Sequence, residues 1–282
     1  MKQETGMIYI GILLLTILIW LCYEWLEHSV INYNSTTVEC DKLSPNTAIK
    51  LCVLADLHNN KKNCEKICAK IKEFHPDYIL VPGDMVNKHR AMQKNAVNFL
   101  NNLAQIAPVC YSLGNHEERI RVEKNTAWEN FICSLSKSVI LLDNTSVTQT
   151  AQGNNITFSG LSLPKEFYCK GKLWDNEENL PELPAAPEGF HILLAHNPEY
   201  AAWYKKYRPD FVVSGHLHGG LLRLPFFGGM ISPRLRIPKE DAGAYRYPFG
   251  ILFITRGLGS HTVPLRFFNR TEINFIVLRG EK

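Results

Sequence analysis

No CxxC pair occurs in the 282 residues, and the eight cysteines, at 22, 40, 52, 64, 68, 110, 133 and 169, keep no regular spacing. Such scatter offers no disulfide framework. Cys52 and Cys110 fall inside apolar runs, where a free thiol behaves as a small hydrophobe. Charge is sparse as well: 21% of residues are charged and the net charge is +4 at pH 7, too small a surplus to imply nucleic acid by itself. Internal repeats are absent, and so is any linker long enough to split the chain after residue 30. With 45% hydrophobic residues the composition is that of an ordinary globular protein, neither disordered nor fibrous. These absences remove the unusual classes and name no function.

One long apolar run is present. Residues 7–23 (MIYIGILLLTILIWLCY) contain a single clearly polar side chain, Thr16. A run of about 17 residues spans ~26 Å as a helix, at the short end for crossing a bilayer. Trp20, Tyr23 and Trp25 suit the interfacial belt of such a span. A cleaved signal peptide is the alternative, but the sequence that follows, EWLEHSVINYNSTTVEC, has no small-x-small cleavage site. A retained single-pass anchor over residues 1–30 is therefore expected, with one domain over 31–282. Lys2 precedes the run while Glu24 and Glu27 follow it, which places the domain outside the cytoplasm by the positive-inside rule.

Beyond the anchor, short apolar runs alternate with helical patterns, which predicts an α/β fold. Strands are expected at 49–55, 78–82, 108–113, 139–142, 146–150, 156–159, 191–194, 211–214, 251–255 and 273–278. Helices are expected over 64–74 and 91–106, the second with Ala96, Phe99, Leu100 and Leu103 on one face. The Pro-, Glu- and Asn-rich stretch 170–188 reads as a loop.

Five of the predicted strands end in the same way, in a tight turn followed by a side chain able to bind metal. These pieces are Asp56-Leu57-His58, Gly83-Asp84, Gly114-Asn115-His116-Glu117, His196-Asn197 and Gly215-His216-Leu217-His218. An α/β sheet builds its site at strand ends, and glycine lets the backbone turn sharply beside a ligand. Alone, each piece is ordinary turn chemistry or a core histidine. Together they form a mixed nitrogen and oxygen set that suits first-row divalent ions and not a cysteine-type structural zinc site. His28, His75, His89 and His191 belong to no such piece; His261, after Gly257-Leu258-Gly259, is a further candidate to line the pocket.

DLH, GD, GNHE, AH and GHLHGG resemble the motifs of the calcineurin-like metallophosphoesterases, over roughly residues 49–282. The resemblance implies a four-layer αββα sandwich with two metal ions at the strand ends. It implies that Asp56, His58 and His218 hold one ion, that Asn115, His196 and His216 hold the other, and that Asp84 bridges them. His116 would be the acid beside the scissile phosphate. Relatives often carry Asp where this chain has Glu117, and often a further carboxylate within the stretch that here reads MVNK. Two divalent ions acidify a water between them and neutralise phosphate oxygens, so the implied reaction is phosphoester hydrolysis. Mn, Fe and Zn all suit this ligand set.

The substrate depends on the rest of the chain. Residues 219–282 hold ten Lys and Arg against four Asp and Glu. In 219–248 the cations interleave with apolar residues, a pattern able to meet phosphate head groups and acyl chains together, or simply to pack inward as an irregular loop. The tail and the anchor make the chain similar to the membrane-associated subgroup that includes enzymes resembling UDP-2,3-diacylglucosamine pyrophosphohydrolases. A lipid-linked or nucleotide-sugar phosphoester is the expected substrate. A nucleotide phosphodiesterase or nuclease is the alternative, although no nucleic-acid-binding pattern is visible. A catalytically silent scaffold is the third reading, and the full ligand set speaks against it.

Overall fold

The structure, a computed structural model, describes residues 2–89, 93–169, 176–185, 188–220, 223–224, 226–232, 236–259, 266 and 268–281. His261 lies outside the described residues. Helix α1 (Lys2–Ser29) is long and apolar enough over Tyr9–Glu27 to cross a membrane, and its apolar side chains are exposed.

Two six-stranded mixed sheets follow. The first contains β1 (Ile31–Cys40), β2 (Ala48–Val53), β3 (Tyr78–Val81), β4 (Val109–Ser112), β5 (Val139–Leu142) and β14 (Thr271–Gly280), in the order β1-β14-β2-β3-β4-β5. Strands β2 to β5 run parallel, which requires crossovers, and α2 (Cys64–Phe74) and α3 (Lys94–Leu103) supply the first two. Two further helices, α4 (Asn115–Glu123) and α5 (Asn125–Cys133), lead into β5. The second sheet contains β6 (Thr145–Ala151), β7 (Asn154–Leu161), β8 (Phe190–Ala195), β9 (Phe211–Ser214), β12 (Gly243–Tyr247) and β13 (Gly250–Ile254), ordered β12-β13-β9-β8-β7-β6. A short hairpin, β10 (Arg223–Leu224) with β11 (Gly228–Gly229), stands apart from both sheets.

Burial explains the layering. Leu80, Cys110, Phe158, Ile192 and Val213 meet in the core between the two sheets. The other face of the first sheet packs Ile79, Val81 and Tyr111 against Ile67 and Ile71 of α2 and Phe99 and Leu103 of α3. The other face of the second sheet packs Leu193, Val212 and Leu252 against Tyr200 and Tyr204, which lie on the 3₁₀ turns of Pro198–Tyr207. Each such side chain contributes ~1.5–3 kcal/mol on full burial. Among the described residues, the fourth layer is built from 3₁₀ turns and loops.

Every strand and helix expected from periodicity is present. Among the elements not foreseen, beside β10, β11, β12 and the 3₁₀ turns, three are informative. Strand β1 (INYNSTTVEC) is mostly polar, and it exists because it lies parallel against the long β14 at the sheet edge. Helix α4 (NHEERIRVE) has no apolar stripe, and the face it buries carries Glu117 and Glu118. Helix α5 lies in a stretch to which no periodicity was assigned.

Candidate metal centre

The parallel strands β2, β3 and β4 of one sheet and β8 and β9 of the other end at a common rim, and backbone hydrogen bonds stitch that rim together. Asp56 N donates to the Gly83 carbonyl (3.1 Å), His58 N to the Asp84 carbonyl (3.0 Å), and Gly215 N to the His196 carbonyl (3.1 Å). The two sheets approach closely here: a methyl group on Gly215 would sit 2.6 Å from Asp56 Oδ2. One on Gly114 would overlap Asp84 Oδ1. Both glycines are needed for the space they leave beside a carboxylate.

At this rim the structure brings together the side chains expected from the five pieces. Asp56, His58 and His218 form one group whose ligand atoms lie within 4.8 Å of one another; Asp84, His196 and His216 form a second; His58, Asp84 and His116 form a third. His58 Nε2 lies 3.2 Å from His218 Nε2, and His218 Nε2 lies 3.6 Å from Asp56 Oδ1. His196 Nε2 sits between the two carboxylates, 3.3 Å from Asp84 Oδ2 and 3.9 Å from Asp56 Oδ1. The groups are chemically suited to divalent cations, since they pair carboxylate oxygen with imidazole nitrogen. Asn115 supports the same fit, because its buried Oδ1 has no hydrogen-bond partner and is an acceptor awaiting a cation or donor.

The backbone is held out of its usual basins. Asp56, His58, Asp84, His216 and His218 all have positive φ, between 51° and 69°. Left-handed backbone costs about 1–2 kcal/mol per residue, somewhat less for Asp and His. Strain collected on five ligand-type residues of one rim marks a site whose geometry is imposed by its surroundings.

Electrostatics point the same way. Burial pushes the Asp56 carboxyl up to about 7, and the neighbouring charge of Asp84 adds to this against the opposing pull of His196. Burial would also raise Asp84, but His196, His116 and His58 around it hold it well below the usual carboxylate range. Burial disfavours charge on His196, yet the two aspartates overcome that and raise it to about 9. In the metal-free protein, protons on Asp56 and His196 stand in for part of the positive charge that this cluster demands.

Several supporting roles were not read from the motifs. Glu117, fully buried, accepts hydrogen bonds from Asp84 N (2.9 Å), Met85 N (2.7 Å), Val86 N (3.1 Å), Gly114 N (2.9 Å) and the Tyr111 hydroxyl (2.7 Å). One carboxylate thereby clamps the turn after β3 to the turn after β4. Its position three residues after Gly114, in capping-box spacing, was the available signal. Asn269 Nδ2 donates to the carbonyls of His218 (2.5 Å) and Gly220 (3.0 Å), holding the loop that carries His218. Arg266 is buried next to Asp56 and donates to the Gly259 carbonyl, while Gly259 N donates to the Asp56 carbonyl (2.7 Å). Tyr168 packs its ring edge-on to His216, centroids 5.2 Å apart, and its buried hydroxyl has no hydrogen-bond partner.

A two-sheet sandwich that gathers carboxylates and imidazoles at its strand ends is the class of protein built to hold divalent metal ions. Residues 49–220 match the calcineurin-like phosphoesterase family, and the chain belongs to it. It is 29% identical over 235 residues to the phosphodiesterase YaeI of Escherichia coli strain K12, covering 81% of this chain and 82% of that one. Against the UDP-2,3-diacylglucosamine pyrophosphatase LpxG of Chlamydia muridarum it is 27% identical over 282 aligned residues, covering 80% and 82%. The uncharacterized metallophosphoesterase YkuE of Bacillus subtilis strain 168 is 26% identical over 266 residues, covering 91% and 88%.

Two outcomes are expected of this geometry. Glu117→Gln replaces two acceptor oxygens with one and turns an amide NH₂ toward backbone N–H groups, so it should destabilise the protein by roughly 2–4 kcal/mol in urea unfolding. Tyr111→Phe removes a single donor and should cost only about 0.5–1.5 kcal/mol; equal losses would contradict the clamp. Divalent metal binding at pH 6.5, below the values of about 7 for Asp56 and about 9 for His196, should release protons. Titration calorimetry in two buffers of different ionisation enthalpy measures that release, which should fade toward pH 9.5; a buffer-independent enthalpy at pH 6.5 would contradict it.

Proposed function

We propose that the chain is a membrane-anchored phosphohydrolase with a binuclear centre, acting on a lipid-linked phosphoester or pyrophosphate. The observation that carries this is the pair of ligand groups, Asp56/His58/His218 and Asp84/His196/His216, meeting on one rim. The first group would hold one divalent ion. His196 and His216 with the unpartnered Asn115 Oδ1 would hold a second, and Asp84, with an oxygen for each, would serve both. Ions held there would acidify a water and neutralise the phosphoryl oxygens.

The remaining work falls to the protein. Glu117 and the strained strand ends fix the carboxylates in advance, so no reorganisation is needed as charge develops. His116 N donates to Asp84 Oδ1 (2.8 Å), tying the start of α4 to the same carboxylate. Lys88 N donates to His116 Nδ1 (3.2 Å), which makes Nδ1 an acceptor and leaves the ring proton on Nε2. That proton is the one His116 would give to the oxygen that gains charge as the phosphoester bond breaks.

Three observations support a lipid-linked substrate: α1, the basic and apolar stretch after His218, and the likeness to an enzyme named for a diacylglucosamine nucleotide. Purified full-length protein, supplied with Mn, Fe or Zn, should hydrolyse a lipid-linked pyrophosphate faster than its deacylated form. Indifference to acyl chains would favour a nucleotide phosphodiesterase instead. His116→Ala should lower turnover about 10²–10⁴-fold for esters with poor leaving groups, with bound metal nearly unchanged. The loss should shrink for p-nitrophenolate, which departs without needing a proton; equal losses for both esters would remove His116 from the leaving-group side.

A further inference from the structure

The hairpin that follows the GHLHGG motif is not accounted for by the metal centre. Its tip carries Phe226 and Phe227, 106% and 80% exposed. Single exposed apolar residues are ordinary. Two adjacent phenylalanines projected into solvent, with Ile237 at 72% exposure a short way on, are a surface that expects a partner.

The base of this hairpin is braced, so the tip is presented from a fixed place. Asp241 Oδ2 accepts from Arg223 Nη1 (2.5 Å) on one strand and from Gly229 N on the other. Gly229 lies so close to the metal-binding loop that a methyl group there would sit 2.7 Å from the Gly219 carbonyl oxygen. Gly219 is the neighbour of His218. The aromatic tip and the metal centre are therefore two ends of one short stretch of chain.

The same corner receives the end of α1. Glu27 is buried there and accepts from Asn269 N (2.9 Å) and Arg270 Nε (3.0 Å). Phe268 N donates to the Tyr23 hydroxyl (2.6 Å), and the Phe268 and Tyr23 rings lie 5.7 Å apart. Asn269, which Glu27 holds, is the residue that grips the carbonyls of His218 and Gly220. One segment thus ties the helix end to the root of the hairpin, at the level where Trp20 and Trp25 stand exposed on α1. Phe268 itself is 52% exposed at that level. Arg236 and Lys239, exposed on either side of Ile237, add the cations that attract anionic head groups.

We infer that the Phe226–Phe227 tip is a second membrane contact, seated in the interface of an anionic bilayer beside α1 and holding the metal centre against the lipid head groups. The inference rests on α1 being a membrane span. It gives the proposed substrate a route: a phosphoester with its acyl chains still in the bilayer presents its head group at the rim, without leaving the membrane.

The test uses the full chain in nanodiscs of phosphatidylcholine and phosphatidylglycerol, doped with a phospholipid bearing a diazirine on its acyl chain. After photolysis and peptide mapping, adducts are expected on α1 and on the peptide containing 226 and 227. The variant carrying F226S and F227S should keep the α1 adducts and lose those of the hairpin. Its turnover of a nanodisc-held acylated pyrophosphate should fall by about fivefold or more, for a lost interfacial anchor, with bis-p-nitrophenyl phosphate hydrolysis unchanged. Adducts confined to α1 would overturn the inference while leaving the anchor intact, and would point to a protein partner for the two phenylalanines. Absence of adducts on α1 as well would overturn the reading of α1 as a span, and the inference with it.

Discussion

Two buried aspartates facing one another, Asp56 and Asp84, set the terms for everything around them. Each would be ionised in water; burial opposes that for both, and the charge of Asp84 adds to it at Asp56, while imidazoles hold Asp84 ionised. The cluster answers with imidazoles: His196 lies between the two carboxylates, and His58, His116, His216 and His218 crowd the rest of the rim. Such a set is stable when cations, or protons in their place, balance the charge. The preference for divalent metal thus follows from burial, before any reaction is considered.

Holding that set in place is expensive. Five of the ligand-type residues have left-handed backbone, and even at under about 1–2 kcal/mol each their sum is a sizeable part of the ~5–15 kcal/mol by which a domain is stable at all. Compensation is visible in the hydrogen bonds that fix each turn. Glu117 takes four donors from the turns after β3 and β4 and a fifth from Tyr111 on β4, and Asn269 grips the loop of His218. The inter-sheet core beneath supplies the rigid platform, and its strands carry the strained ends to a common rim. The buried Glu27 of α1 reaches this support through Asn269, so the apolar helix is fastened to the metal-binding corner and is no loose tether.

How much of this was legible in the sequence follows from which interactions leave a periodic or local trace. Strands such as β3 and β8 are buried on both faces and read as unbroken apolar runs, and α3 shows its stripe at Ala96, Phe99, Leu100 and Leu103. The candidate ligands could be read because each follows such a run in a turn. Strand β1 left no trace, since its existence depends on a pairing with β14 more than two hundred residues away. Helix α4 was missed because it buries two glutamates, Glu117 at the site and Glu118 paired with Arg121, beside a single apolar residue, Ile120. Glu117 itself looked like a family variant of Asp; that it clamps two turns is a fact of three dimensions. Asn269 lies in a stretch with no motif, and its partners are backbone carbonyls, which no sequence pattern records. Residues 223–224 and 226–229 could be read only as basic and apolar, until the fold set Arg223 and Gly229 against Gly219, the neighbour of His218.

The central claim is that one rim holds two divalent ions, and anomalous diffraction from crystals of the full chain grown with manganese tests it most directly. The account predicts two peaks per chain about 3.5–4 Å apart. One should be bounded by Asp56, His58 and His218, the other by Asn115, His196 and His216, with Asp84 touching both. A single peak under saturating metal, or a second ion held away from Asp84, would contradict it.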